Sequence, residues 1–334
     1  MTPRWSFALG LIVFTTACGG SSSTAPSSSN TSSPGAGFPS GALVLKHSIV
    51  DPAAIRWITP LGNLNPPDHT LPTDHIYFYF ANPNIGESPS VRRTAFFAPG
   101  DGTVTSVIGG AAGQESKVFV RQTATMSYYV DHVILSAALA SGSVLTAGQV
   151  LGTTGSSFAV DLGVVNESIT VGFINPSRYS NSDSLHADAP LKYYTEPVRG
   201  QLYARVQRLG SDLDGTINYD KAGSLAGNWF AQFGSAPLSF AYDTYDPSRV
   251  LISMGVGAFP GVYAIAADDP RPRDVTVANG RLLYTLTPTQ SGPNPGLGAT
   301  RYMLVQMTDD THLRAQVLQT RPSDFDAAAI LFVR

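Results

Sequence analysis

Glycine and proline interrupt this chain so regularly that no stretch holds a sustained helical period. There are 32 Gly and 24 Pro in 334 residues, and the apolar residues between them fall in short or alternating runs, the pattern of half-buried strands. Strands are predicted at Ala42–Lys46, Ile76–Phe80, Thr94–Phe97, Gly102–Ile108, Val118–Thr123, Ser127–Leu135, Val150–Gly152 and Phe158–Val165. Beyond Gly210 they are predicted at Ser239–Tyr242, Val250–Val256, Val262–Ala266, Arg281–Thr287, Arg301–Thr308, Leu313–Gln319 and Ala328–Val333. The expected fold is therefore all-β, with two antiparallel units, each a sandwich or a barrel. With 43% hydrophobic and only 13% charged residues the chain can bury a core. A formal charge of −3 gives no electrostatic basis for binding nucleic acid or for a polybasic membrane patch. The single cysteine, Cys18, excludes an internal disulfide and a cysteine zinc site.

The first residues form a short basic start, Met1-Thr2-Pro3-Arg4, followed by an apolar run from Trp5 to Phe14 and then Thr15-Thr16-Ala17-Cys18-Gly19. That run is too short to span a bilayer and fits the hydrophobic region of a secretory signal. Small residues ahead of a Cys resemble the lipobox of bacterial lipoproteins, with Thr15 where Leu is more usual. The resemblance implies cleavage before Cys18 and a lipid on its sulfur. From Gly19 to Gly41 the chain is almost wholly Ser, Gly, Pro, Thr, Ala and Asn, the composition of a flexible tether. The expected organisation is a signal peptide over 1–17, a tether over 18–41, a first β domain over 42–208 and a second over 209–334.

One segment concentrates polar chemistry. Asp68-His69-Thr70-Leu71-Pro72-Thr73-Asp74-His75 sets two imidazoles and two carboxylates directly ahead of the strand Ile76–Phe80. Imidazole nitrogen and carboxylate oxygen are donors that Zn²⁺ accepts, and they also satisfy ordinary turns. Neither a phosphate-cradling glycine loop nor a Gly-x-Ser-x-Gly elbow is present in the sequence.

Two segments after this cluster carry a family resemblance. Ala98-Pro99-Gly100-Asp101-Gly102-Thr103-Val104 resembles the Ala-Pro-x-Asp-Gly-x-Val hairpin of the lysostaphin-like (LytM-type) zinc endopeptidases of bacterial cell walls. Val144 to Gly155, with Gly148-Gln149-Val150-Leu151-Gly152 at its centre, resembles their Val-x-x-Gly-Gln-x-Ile-Gly-x-x-Gly segment. The resemblance covers about Pro60 to Asn175 and implies a β-sheet with a groove on one face. It implies metal ligands at His69, at Asp74 or alternatively His75, and at Asp161, with His132 at the oxyanion-stabilising position. The His69 to Asp74 spacing is one residue longer than in the family. Ala159 falls where the family has its general base, and alanine can neither accept nor deliver a proton.

These readings imply a bacterial cell-envelope lipoprotein, periplasmic or extracellular, held to the membrane by its lipid anchor alone. Its first domain is expected to have lost catalysis and to bind or organise peptidoglycan, another envelope glycan or peptide, or an envelope protein. The alternative is a metal-dependent peptidoglycan endopeptidase or related hydrolase with a rearranged site and Zn as cofactor. A short stretch, Gly227-Asn228-Trp229, resembles the Gly-x-Trp start of calycin-type barrels, with Trp229 expected to plug a core.

Overall fold

The computed structural model describes residues 37–80, 94–111, 113–155, 157–179, 181–234, 236–291 and 298–334. All of them belong to one compact unit, Gly35–Arg334. Cys18, the signal segment and most of the tether lie outside the described residues.

The fold is all-β. Ten strands form the first sheet: β1 Trp57–Thr59, β2 His75–Tyr79, β3 Ala95–Phe97, β4 Gly102–Gly109, β5 Glu115–Arg121, β6 Met126–Leu135, β7 Val144–Leu145, β8 Val150–Thr154, β9 Ala159–Asn166 and β10 Ala187–Asp188. Their order is β1-β2-β9-β6-β5-β4-β7, with β10 on β9 and β8 bridging β3 and β6. Every pairing between these strands is antiparallel. Alternation sorts the two faces. Ile76 and Phe78 of β2, Val160, Leu162 and Val164 of β9, and Tyr128 and Val130 of β6 point into one buried cluster. The opposite face takes His75, Tyr77 and Tyr79, then Ala159, Asp161 and Gly163, then Tyr129 and Asp131. The register brings these together, with His75 opposite Gly163, Tyr77 opposite Asp161, and Asp131 opposite Asp161.

A short helix, α1 Val198–Tyr203, follows the sheet. Eight strands then close a barrel: β11 Gly227–Ala231, β12 Pro237–Tyr242, β13 Val250–Met254, β14 Gly261–Ile265, β15 Arg281–Thr289, β16 Arg301–Met307, β17 His312–Leu318 and β18 Ile330–Val333. Each pairs with the next, and β18 returns to β11 through Phe230 opposite Val333. Side chains fill the interior, among them Trp229, Phe240, Tyr284, Met303 and Phe332. The Arg334 guanidinium lies 4.1 Å from the centre of the Trp229 ring and donates to the carbonyls of Ala226 and Lys221 at 2.9 and 3.2 Å. A smaller cluster of Leu64 with Ala241, Leu251 and Val262 packs the loop before β2 against the barrel wall.

Most predicted strands form within a few residues of the expected bounds. Ala42–Lys46 does not. Leu45 makes only an isolated parallel bridge to Tyr194, and the segment instead lays Leu43 and Leu45 into the core as an irregular strap. Strands β1, β7 and β10 are too short for a periodic signal, and the six-residue helix α1 lies within what reads as a connecting run.

Candidate functional site

The polar cluster stands on the sheet face opposite the core, where β2, β9 and β6 run side by side. Asp161 occupies its centre, only 4% exposed. His75 approaches from β2 and His132 from β6, each placing Nε2 near Asp161 Oδ2, at 3.5 and 3.4 Å. The other nitrogen of each ring meets a different carboxylate. His75 Nδ1 lies 2.9 Å from Asp74 Oδ1, and His132 Nδ1 lies 2.7 Å from Glu115 Oε2. The result is one alternating row, Asp74, His75, Asp161, His132 and Glu115, in which each imidazole stands between two carboxylates.

Local structure explains how these side chains reach one another. The β5–β6 pairing shifts register near His132, so Asp131 and His132 both face Asp161. His132 adopts φ 66°, the only positive φ of a non-glycine residue among the described residues. The Asp131 carboxylate accepts from the His132 N–H at 2.7 Å, and the His132 carbonyl accepts from Gly155 at 3.1 Å. Two glycines provide seats. A Cβ on Gly155 would lie 1.8 Å from the Glu115 carboxylate, and one on Gly163 would lie 2.1 Å from the Tyr129 ring. Tyr129 crosses Gly163 and donates its hydroxyl to Asp74 at 2.9 Å, while Ser184 donates to the other Asp74 oxygen. Ser157 donates to Glu115 at 3.0 Å and stands 3.2 Å from His132 Nδ1.

The electrostatics follow from this arrangement. Burial opposes a charge on His132, but Asp161, Glu115 and Asp131 outweigh it and raise its pKa to about 9. Burial also opposes a charge on His75, and the bond to Asp74 with the charge of Asp161 raises its pKa too. Asp74 resists the upward pull of burial because His75, Ser184 and Tyr129 bond to it, and its pKa falls well below the usual range. For His69, burial and the neighbouring His75 act together to lower the pKa.

Of the residues singled out from the sequence, the structure brings His75, His132 and Asp161 together. His69 stands to one side, its ring centre 5.4 Å from that of His75. Asp74 binds the far nitrogen of His75, so His75 and not Asp74 faces Asp161. Ala159 lies on β9 opposite Tyr79, on the same face as Asp161 and 8% exposed. Glu115, Asp131, Tyr129 and Ser157 had no motif to mark them. Their roles arise from strand register, which the sequence does not display. Asp131, His132 and Asp161 each bring one ligand atom within 4.8 Å of the others, a group able to hold a cation.

No family model matches the chain, and no curated protein matches its sequence. Solved structures with a likeness to it include lysostaphin. Its NMR solution structure is 13% identical, with 86% of this chain and 90% of that chain covered and a TM-score of 0.31. A second structure, of the antimicrobial peptidase lysostaphin from Staphylococcus simulans, is 12% identical over 87% and 92% of the two chains, also at 0.31. The crystal structure of CbpA from L. salivarius REN is 22% identical over 32% and 67%, at 0.22. A likeness at this level says nothing about activity, which has to be read from the side chains.

Proposed function

We propose that this chain is a lipid-anchored protein of the bacterial cell envelope whose sheet binds or organises cell-wall or other envelope material without hydrolysing it. The alternating row of three carboxylates and two imidazoles carries this reading. Both imidazoles near Asp161 already stand between two carboxylates, so the row balances most of its own charge. Beside it, Ala159 offers no proton acceptor where hydrolysis of the family's kind would need one. What remains is a polar floor framed by Tyr77, Tyr79 and Tyr129, suited to recognition. The test incubates the purified protein with cell-wall sacculi, with and without added Zn²⁺, and follows co-sedimentation and release of soluble fragments. Saturable co-sedimentation without release is expected. Release that a chelator abolishes would overturn the non-catalytic reading.

One observation favours a second reading, a metal-dependent peptidoglycan endopeptidase or related hydrolase. The Asp131, His132 and Asp161 group could hold a cation, and Asp161 Oδ1 and His75 Nε2 are buried atoms without a hydrogen-bond partner among the described residues. One imidazole and two carboxylates suit harder ions better than zinc. A bound cation would supply Lewis-acid polarisation of a carbonyl, with Glu115 holding His132 in place beside it. Stoichiometric metal retained through gentle purification would favour this reading.

A further inference from the structure

A cleft of about 460 Å³ runs from His69 and His75 to the barrel, where Phe230 and Pro237 form its far wall. Two cations line it. Lys117, on β5, holds its ammonium 3.9 Å from the centre of the Tyr129 ring and makes no ion pair among the described residues. Arg178 donates one nitrogen, Nη2, to the carbonyls of Ala231 and Gly234 at 2.8 and 3.0 Å, and its guanidinium lies 5.4 Å from the Phe230 ring centre. Its remaining N–H groups meet no acceptor among the described residues. Both side chains are only partly buried and leave donor groups free to meet an anion in the cleft.

We propose that this cleft is a carboxylate-binding pocket that seats an acidic group of a cell-wall stem peptide between Lys117 and Arg178. The proposal rests on the envelope-binding reading above and deepens it. An ammonium point charge on one side and the uncommitted Nη1 and Nε groups of the guanidinium on the other suit a carboxylate, each as a single charge-assisted bond. Acidic groups limit the charge the pocket tolerates. Asp68 and Asp74 line the cleft, and Asp183 lies close enough to sense both Lys117 and Asp74. That balance favours a singly charged carboxylate over a doubly charged phosphate. The volume suits a short peptide segment. Stem peptides carry free carboxylates, whereas glycan hydroxyls could not use this pair of cations in the same way.

The test is calorimetric titration of the full chain with muramidase-released soluble peptidoglycan fragments, native or with their carboxylates amidated. Native fragments are expected to bind about 10- to 100-fold more tightly than amidated ones, the range of a charged hydrogen-bonded contact. Lys117→Gln with Arg178→Gln should erase that preference, and Lys117→Arg should retain it. Because Arg178 also ties the β11–β12 turn, Lys117→Gln alone serves as a second variant and should reduce the preference with an unchanged unfolding midpoint. Equal binding of both fragments by the wild type would overturn the carboxylate pocket and leave the envelope reading standing. So would a preference that survives both variants. Binding of neither fragment would overturn both readings.

Discussion

At the scale of single residues, His132 is held in a strained backbone conformation, and its φ of 66° costs on the order of 1–2 kcal/mol for a side chain with a Cβ. The compensation lies in the contacts of its ring. Its pKa near 9 in the folded chain exceeds the unfolded value of about 6.5. Folding therefore gains from its protonation fully below about pH 6.5 and loses that gain as pH rises through about 9. The imidazole is about a third exposed, so solvent screens part of the effect. With chelator present, the thermal midpoint should fall across this window. Asp161→Asn should flatten the decline and lower the His132 pKa in an NMR titration, and an unchanged titration would show that Asp161 does not govern it. His69, Asp74, His75, His132 and Asp161 stand out in the sequence as candidates, because His is scarce here and the resemblance of the Ala-Pro and Gly-Gln segments implies those positions. Of these, His75, His132 and Asp161 converge. The sequence could not show that Asp74 turns behind His75, or that Glu115 reaches His132 from a strand whose only signal was alternation.

At the scale of elements, pairs of strands are held together at places where only glycine fits. On β9, Gly163 lets the Tyr129 ring of β6 lie flat across it. Gly163→Ala is expected to displace Tyr129, break its bond to Asp74 and release Lys117 from the ring. Altered tyrosine near-ultraviolet dichroism with the secondary structure intact would report this, and an unchanged spectrum would refute it. In the barrel, Trp229 is fully buried in the core with its ring under the Arg334 guanidinium. Trp229→Ala should cost about 3–5 kcal/mol, read by denaturant unfolding. A loss under about 1 kcal/mol would mean that the ring does not support the barrel core. Alternation and turn residues made the long strands legible. They failed at Ala42–Lys46 because an apolar run can enter a core without pairing, and at β1, β7 and β10 because two or three residues carry no period.

At the scale of the whole molecule, the sheet and the barrel share walls around one cleft, and the N-terminal segment is read as the anchor that carries them. If Cys18 bears a lipid, wild-type protein should enter the detergent phase of a partition assay and Cys18→Ser should remain in the aqueous phase. Identical partitioning would remove the anchor from the proposed function. Two β-rich regions were legible in the strand signals on either side of Gly210. Their common cleft was not, since it depends on how Leu64 and the segment around Arg178 lie against the barrel wall.

The pairing of β18 with β11 has a consequence for the order in which the chain can assemble. Phe230 and Val333 are partners across the seam, yet nearly the whole barrel sequence separates them. The seam cannot form until Phe332 and Val333 are in place, and contacts of such long range form slowly. Until then, β11 and β17 each present an unpaired backbone edge, the kind of surface that recruits other strands. Removing residues 330–334 should therefore leave a sheet-containing chain with an open, aggregation-prone half, and light scattering during refolding would time the closure of that last seam.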